Sequence, residues 1–250
     1  TVTFRVKNIG TAAVKILDSS RVLLNDGKGT DTLGQTTDGI YSLALPPPAG
    51  PTVTSRTNPD QEKWYSARSA VFEWDAPADV EGYSYILNNE PAADLDNISE
   101  GVKTRVAYNN LADGTYYFHI KALRQGAWGG VTDYVVKIDG TPPAAFDIDL
   151  SPGERTSNHR PIIDFATTDA MSGVDHYELK IIALDVPLAR AEQHNTPFFI
   201  EANPPYSRNL DDGRYEVVVR AYDGAGNYYQ SEKHLTAVKP LFEFVLSEGL

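Results

Sequence analysis

The sequence predicts an all-β protein made of tandem antiparallel β-sandwiches. Three observations carry that expectation. The stretch Leu111-Ala-Asp-Gly-Thr-Tyr-Tyr-Phe-His-Ile-Lys-Ala122 returns as Leu210-Asp-Asp-Gly-Arg-Tyr-Glu-Val-Val-Val-Arg-Ala221, a constant shift of 99 from Leu111 to Leu210 and from Gly114 to Gly213. A fixed period of that size means two copies of one small domain. Apolar residues elsewhere alternate at period two over short runs, as on half-buried strands. Asn, Asp, Gly and Pro separate these runs, and no helical periodicity lies between them. Tyrosine, at 14 residues, suits the same reading.

Taken in order, residues 1–45 read as strands. Val2, Phe4 and Val6 alternate with polar neighbours; Ala13–Leu17, Arg21–Asn25 and Tyr41–Leu45 follow, with the tight polar loop Asp26-Gly-Lys-Gly-Thr-Asp31 between the last two. So few strands cannot bury much core, so this segment needs a partner. Residues 46–51 are proline-rich, and prolines hold a chain extended as a semi-rigid spacer.

Residues 52–141 carry about seven short strands. Val71–Trp74 places Phe72 and Trp74 on one face, and Gly82–Leu87 does the same for Tyr83, Tyr85 and Leu87. Thr104–Tyr108, the repeated stretch and Val131–Ile138 complete the set, with the acidic loop Asn88–Asn97 between strands. Asp139-Gly-Thr-Pro-Pro143 is the next joint. In residues 142–238, Ile163 and Phe165 take the places of Phe72 and Trp74, and Tyr177, Leu179 and Ile181 those of Tyr83, Tyr85 and Leu87. Insertions between the copies fall in loops, which tolerate them. Residues 239–250 form an apolar tail, Pro240-Leu-Phe-Glu-Phe-Val245 at its centre, too short to span a bilayer.

These residues reach a family. Trp74 before Pro77, Val80-Glu-Gly-Tyr83, Leu111 before Tyr116, and Ala122 resemble a fibronectin type III or bacterial immunoglobulin-like module. The resemblance implies a tryptophan between the two sheets and a tyrosine corner that pins the connection between two strands. Residues 1–45 resemble the closing strands of a bacterial cohesin-like domain through their Thr-Phe-x-x-Lys strand and Val-Leu-x-Asn-Asp-Gly-x-Gly-Thr-Asp stretch. The first half of such a domain does not appear in the sequence.

Composition narrows the function classes. The net charge is −12 and the pI about 4.8, which argues against nucleic acid or an anionic membrane as partner. The absence of cysteine excludes disulfides, thiolate catalysis and cysteine zinc sites. The five histidines stand apart, with no metal-ligand spacing, and no nucleophile elbow or phosphate loop is present. No enzyme is expected.

Three weaker site patterns remain. Asp164, Asp169, Asp175, Asp223 and Asn227 offer hard oxygens at one end of the third segment and could hold a structural calcium ion; the same residue types also simply make turns. Asp26 and Asp31 have a similar glycine-spaced acidic look. Trp64, Tyr65 and Trp128 fall in loops and could stack on sugar rings or anchor a partner.

The expectation is a non-catalytic structural and adhesive part of a bacterial extracellular or surface protein, its partner a protein or glycan at a cell surface. Both ends read as cut; the resemblance to such surface proteins implies a signal peptide upstream and a membrane or wall anchor downstream. Two alternatives stay open. One is a carbohydrate-binding accessory region of a secreted glycan-degrading enzyme; the other is a polymer subunit that self-associates through its N-terminal strands.

Overall fold

In a computed structural model of the chain, residues 3–4, 9–185 and 198–239 are described. Every regular element among them is a β-strand. The expected strand at Val2–Val6, Pro197 and the tail from Pro240 lie in whole or part outside the described residues.

The first segment holds one hairpin, β1 (Gly10–Val14) antiparallel to β2 (Gly39–Leu43), with Gly10 opposite Leu43. Of the strand expected at Ala13–Leu17 only Ala13 and Val14 are paired, as the end of β1, and the one expected at Arg21–Asn25 does not form. A single bridge, Leu23 to Asp31, closes the loop instead. The reason is burial. Ile16, Leu17, Val22, Leu23, Leu24, Ile40 and Tyr41 are all exposed, Ile40 at 77%. With no second sheet to cover them, side-chain packing gives no reward for extending the ladder.

The next unit is a sandwich of three strands on four. The smaller sheet runs β3 (Val53–Ser55), β5 (Ser69–Trp74), β7 (Arg105–Asn109); the larger runs β4 (Trp64–Tyr65), β9 (Ala127–Ile138), β8 (Gly114–Arg124), β6 (Gly82–Asn88). All pairs are antiparallel except β4 with β9. β5 alternates half-buried and buried at each residue, so Ala70, Phe72 and Trp74 face the larger sheet. Phe72 stacks on Phe118 at 4.2 Å between ring centroids, and Trp74 packs on Tyr83 at 5.6 Å. The tryptophan between the sheets is thus where the resemblance put it.

The last unit repeats this plan with one more strand in the larger sheet. β10 (Ile148–Ser151), β12 (Ile162–Phe165) and β15 (Tyr206–Ser207) form the smaller sheet. β11 (Arg155–Thr156), β17 (Tyr228–Ala237), β16 (Gly213–Asp223), β13 (Val174–Ala183) and β14 (Ile200–Glu201) form the larger. β11 runs parallel to β17 as β4 does to β9. Gly114 pairs with Ile138 and Gly213 with Ala237, so the repeated hairpins share one register. Both corners close through the phenol: Tyr116 Oη donates to the Ala112 carbonyl at 3.1 Å and Tyr215 Oη to the Asp211 carbonyl at 2.9 Å. Tyr215 is fully buried, Tyr116 only half. The two buried clusters share no residue.

The proline segment departs from the spacer reading. The Gly130 amide donates to the Pro48 carbonyl at 3.1 Å, and Arg124 Nη2 donates to the Pro46 carbonyl at 2.7 Å. The Thr52 amide donates to Asp75 Oδ1 at 2.6 Å. The segment is therefore strapped along the β8–β9 hairpin. Glycine at 129 permits it, since a Cβ there would meet the Pro48 oxygen at 2.3 Å.

Candidate functional site at the joint between the sandwiches

β9 ends at Ile138, and the next residue, Asp139, is fully buried. Its Oδ2 accepts from the Ser172 amide at 3.0 Å and from the Ser172 hydroxyl at 2.6 Å; its Oδ1 accepts from the Thr141 amide at 3.2 Å. Ser172 belongs to the following sandwich. A second bond runs the same way: the Asn227 side-chain amide donates to the Asp139 carbonyl at 2.8 Å and to Asp223 Oδ2 at 2.8 Å. One residue is thus gripped from two loops, the one before β13 and the one between β16 and β17.

Those loops are built to offer donors. Asp169 Oδ1 accepts from the Met171 and Gly173 amides, which folds the turn and turns Ser172 toward Asp139. Asp223 Oδ1 accepts from the Ala225 and Asn227 amides. Acceptor side chains that bond backbone two to four residues on are the usual makers of such turns. The Gly224 amide donates to the Gly173 carbonyl at 3.1 Å and ties the two loops together. A Cβ at Gly224 would meet the Ser172 carbonyl oxygen at 2.9 Å.

The other side of the joint is pinned to the preceding sandwich. Asp113 accepts from the Gly140 amide at 2.8 Å and from the Thr141 hydroxyl, and pairs with Arg68 at 3.0 Å. The Thr141 hydroxyl beside Asp113 does most to hold its carboxyl below the usual carboxylate value; burial opposes it, and the Gly140 amide and Arg68 each lower it further. A cleft of about 430 Å³ opens beside these groups, lined by Asp113, Asp139, Thr141, Pro142, Asp169 and Met171 among others.

One ligand atom from each of Asp139, Asp169 and Asp223 falls within 4.8 Å of the others. Carboxylate oxygens so placed could hold a hard cation. Of the five residues expected for calcium, the structure brings Asp169, Asp223 and Asn227 together, and adds Asp139. Asn227 turns its nitrogen to the cluster, as a donor instead of an oxygen ligand, because the Asp139 carbonyl can only accept. Asp164 and Asp175 lie outside the cluster. Asp164 is exposed on β12 opposite Asp149, and Asp175 is exposed beside His176, at the register shift in β13. Asp26 and Asp31 serve their own loop: Asp26 accepts from the Lys28 amide and Thr30 hydroxyl, Asp31 from the Val22 and Leu33 amides.

The aromatic candidates do not converge. Trp64 and Tyr65 form β4, not a loop, and Tyr65 packs against the core with its hydroxyl bonded at Asp60. Trp128 lies in β9, also not a loop, with the Lys121 ammonium 5.0 Å from its ring centroid. Trp64 pairs with Lys137, nine residues along β9 from Trp128, which at strand rise is roughly 30 Å. The loop expected at Trp64-Tyr65 fails because two residues are too short for alternation to show, and the one at Trp128 because β9 begins at Ala127, ahead of the run expected from Val131.

Asp139 itself escaped the sequence reading, since its partner Ser172 is 33 residues away in another domain. One signal was there. The shift of 99 sets Ile138 against Ala237 and Asp139 against Val238, so the acid appears where the repeat has an apolar residue.

No family model and no curated protein matches the chain. Among solved structures it is similar to the FN1–FN3 domains of chicken CNTN1, at 15% identity and a TM-score of 0.35, over 88% of this chain and 76% of that one. It is also similar to the fibronectin(III)-like modules of Clostridium thermocellum CbhA, at 14% identity and a TM-score of 0.38, over 79% of this chain and all of that one. With TM-scores below 0.5, neither superposition bears on function; the fold class rests on the three-on-four strand arrangement itself.

Proposed function

We propose that the chain is a non-catalytic structural and adhesive part of an extracellular surface protein. The joint sets the orientation of the two sandwiches, and the sandwiches carry their outer loops away from the surface that bears them. One observation supports this most: buried Asp139, at the end of one sandwich, is hydrogen-bonded by Ser172 and Asn227 of the next. Flexible arrays make few contacts across domain boundaries, whereas here Asp139 takes three hydrogen bonds from the following sandwich. Small-angle X-ray scattering tests the reading. A single orientation fits the wild-type curve, and Asp139→Ala requires an ensemble; a wild-type curve that already needs an ensemble defeats the proposal.

A second reading has one observation in its favour. The first segment leaves Ile40, Tyr41, Leu17 and Leu24 exposed beside an open strand edge, the form of surface that strand addition completes. A subunit that joins its neighbour this way sediments as a concentration-dependent series. A monomer at all concentrations removes that reading and leaves the first untouched.

A further inference from the structure

We propose that one face of the β1–β2 hairpin is a two-fold interface, on which the same face of a second copy of this chain packs. The proposal rests on the self-association of the second reading above and gives it a closed form, through a face of the hairpin and not an edge. β1 and β2 pair Gly10 with Leu43, Ala12 with Tyr41 and Val14 with Gly39. Residues directly opposite each other in a ladder point to the same side. That side therefore carries Ala12, Val14, Tyr41 and Leu43, with no charged group. The other side carries Thr11, Ala13, Ile40 and Ser42 and is half polar. Neither buried cluster takes in any of these residues, and Tyr41 is 56% exposed.

The area is that of an interface. Ten large apolar residues between Ile9 and Leu45 are exposed, and the chain runs from the hairpin face straight into two of them, Ile16 and Leu17. Together they present on the order of 1,000 Å², against a few hundred for the largest patch of an ordinary monomer and about 800 Å² for one side of a standard interface. Charge does not oppose the contact. Residues 1–45 carry five basic and four acidic side chains, so the net −12 of the chain falls on the sandwiches and not on this segment.

The relief of the face fits a copy of itself. β2 stands high through Leu43 and Tyr41, and the Tyr41 ring lies over Gly39, where an added Cβ would meet its Cε2 at 2.7 Å. β1 is low opposite them, at Gly10 and Ala12. A two-fold axis parallel to the strands lays the β2 ridge of each copy in the β1 groove of the other, with Tyr41 of one over Ala12 of the other. Large side chains over small ones are what lets two layers interdigitate. A surface that matches itself is isologous and closes at two copies, whereas an open series needs two different surfaces.

Sedimentation equilibrium on the whole chain tests this. A monomer–dimer equilibrium with no larger species is expected. Ala12→Glu puts a charge in the groove and raises the dissociation constant at least about tenfold, while Ile40→Ser, on the other side, leaves it within about twofold. Monomer at every concentration overturns the proposal together with the strand-addition reading; a growing series overturns the proposal alone. Isotope-filtered NOE spectra on a mixture of labelled and unlabelled wild-type chains keep the test independent of how the variants fold. A contact between the Tyr41 ring and the Ala12 methyl of different copies is expected, and a dimer without it overturns the proposal.

Discussion

Asp139 is buried, so its oxygens take hydrogen bonds from protein donors or from none. Replacing it by alanine strands the amides of Ser172 and Thr141, and a buried donor left unpaired costs about 1–3 kcal/mol. Asp139→Ala is expected to lower the melting temperature, because the joint couples the sandwiches, while each core cluster keeps its packing; differential scanning calorimetry shows whether one transition becomes two. The tyrosines give a second check. Burial pushes the Tyr108 phenol up to about 12, and burial likewise raises Tyr83, Tyr85, Tyr134, Tyr215 and Tyr222. Each neutral phenol stabilises the fold below the ordinary value of 10.0, and that contribution is lost as pH climbs through the raised value. An ultraviolet titration therefore shows phenolate appearing in two stages, the later one with unfolding.

Among elements, the anchor of each sandwich is the strand pair that the repeat announces. Phe118 on β8 sits against Phe72, Trp74, Tyr85 and Tyr108. Phe118→Ala is expected to cost about 3–5 kcal/mol, measured by urea unfolding, without loosening the third segment's cluster. The proline strap makes a different prediction. Gly129→Val puts a side chain where the Pro48 carbonyl lies, so residues 46–50 come free and are cut first in limited proteolysis, with the β8–β9 pairing intact. Strands of five residues or more were legible because alternation needs several residues to show, as at Ser69–Trp74 and Gly82–Asn88. β4 and β11 were not, since two residues have no period. The first segment misled for another cause. Its apolar runs at Ile16–Leu17 and Val22–Leu24 stay exposed, so packing gives the β1–β2 ladder no reason to extend through them. The candidate site was half legible: Asp-Gly and Asn turns named Asp169, Asp223 and Asn227, while nothing local paired them with Asp139.

At the scale of the whole molecule, the role proposed for the joint is to hold the two sandwiches at one angle. Its acid sensitivity belongs here. Asp113 has its carboxyl held below the ordinary 3.8 by Thr141, Gly140 and Arg68. That contribution is complete above the ordinary value and is lost as pH falls through the lowered one, so acid is expected to free the Gly140–Thr141 segment before either core unfolds. Metal removal separates the two roles of the aspartates. Protein donors already fill three bonds on Asp139, three on Asp223 and two on Asp169. A chelator is accordingly expected to leave the melting temperature unchanged; a rise on adding calcium, scaling with its concentration, would assign the cluster to a cation instead. The central claim, a fixed angle between the sandwiches, is tested most directly by residual dipolar couplings measured separately for 53–138 and 148–237 in one alignment medium. One shared alignment tensor is the predicted result, and two tensors of different magnitude would contradict it.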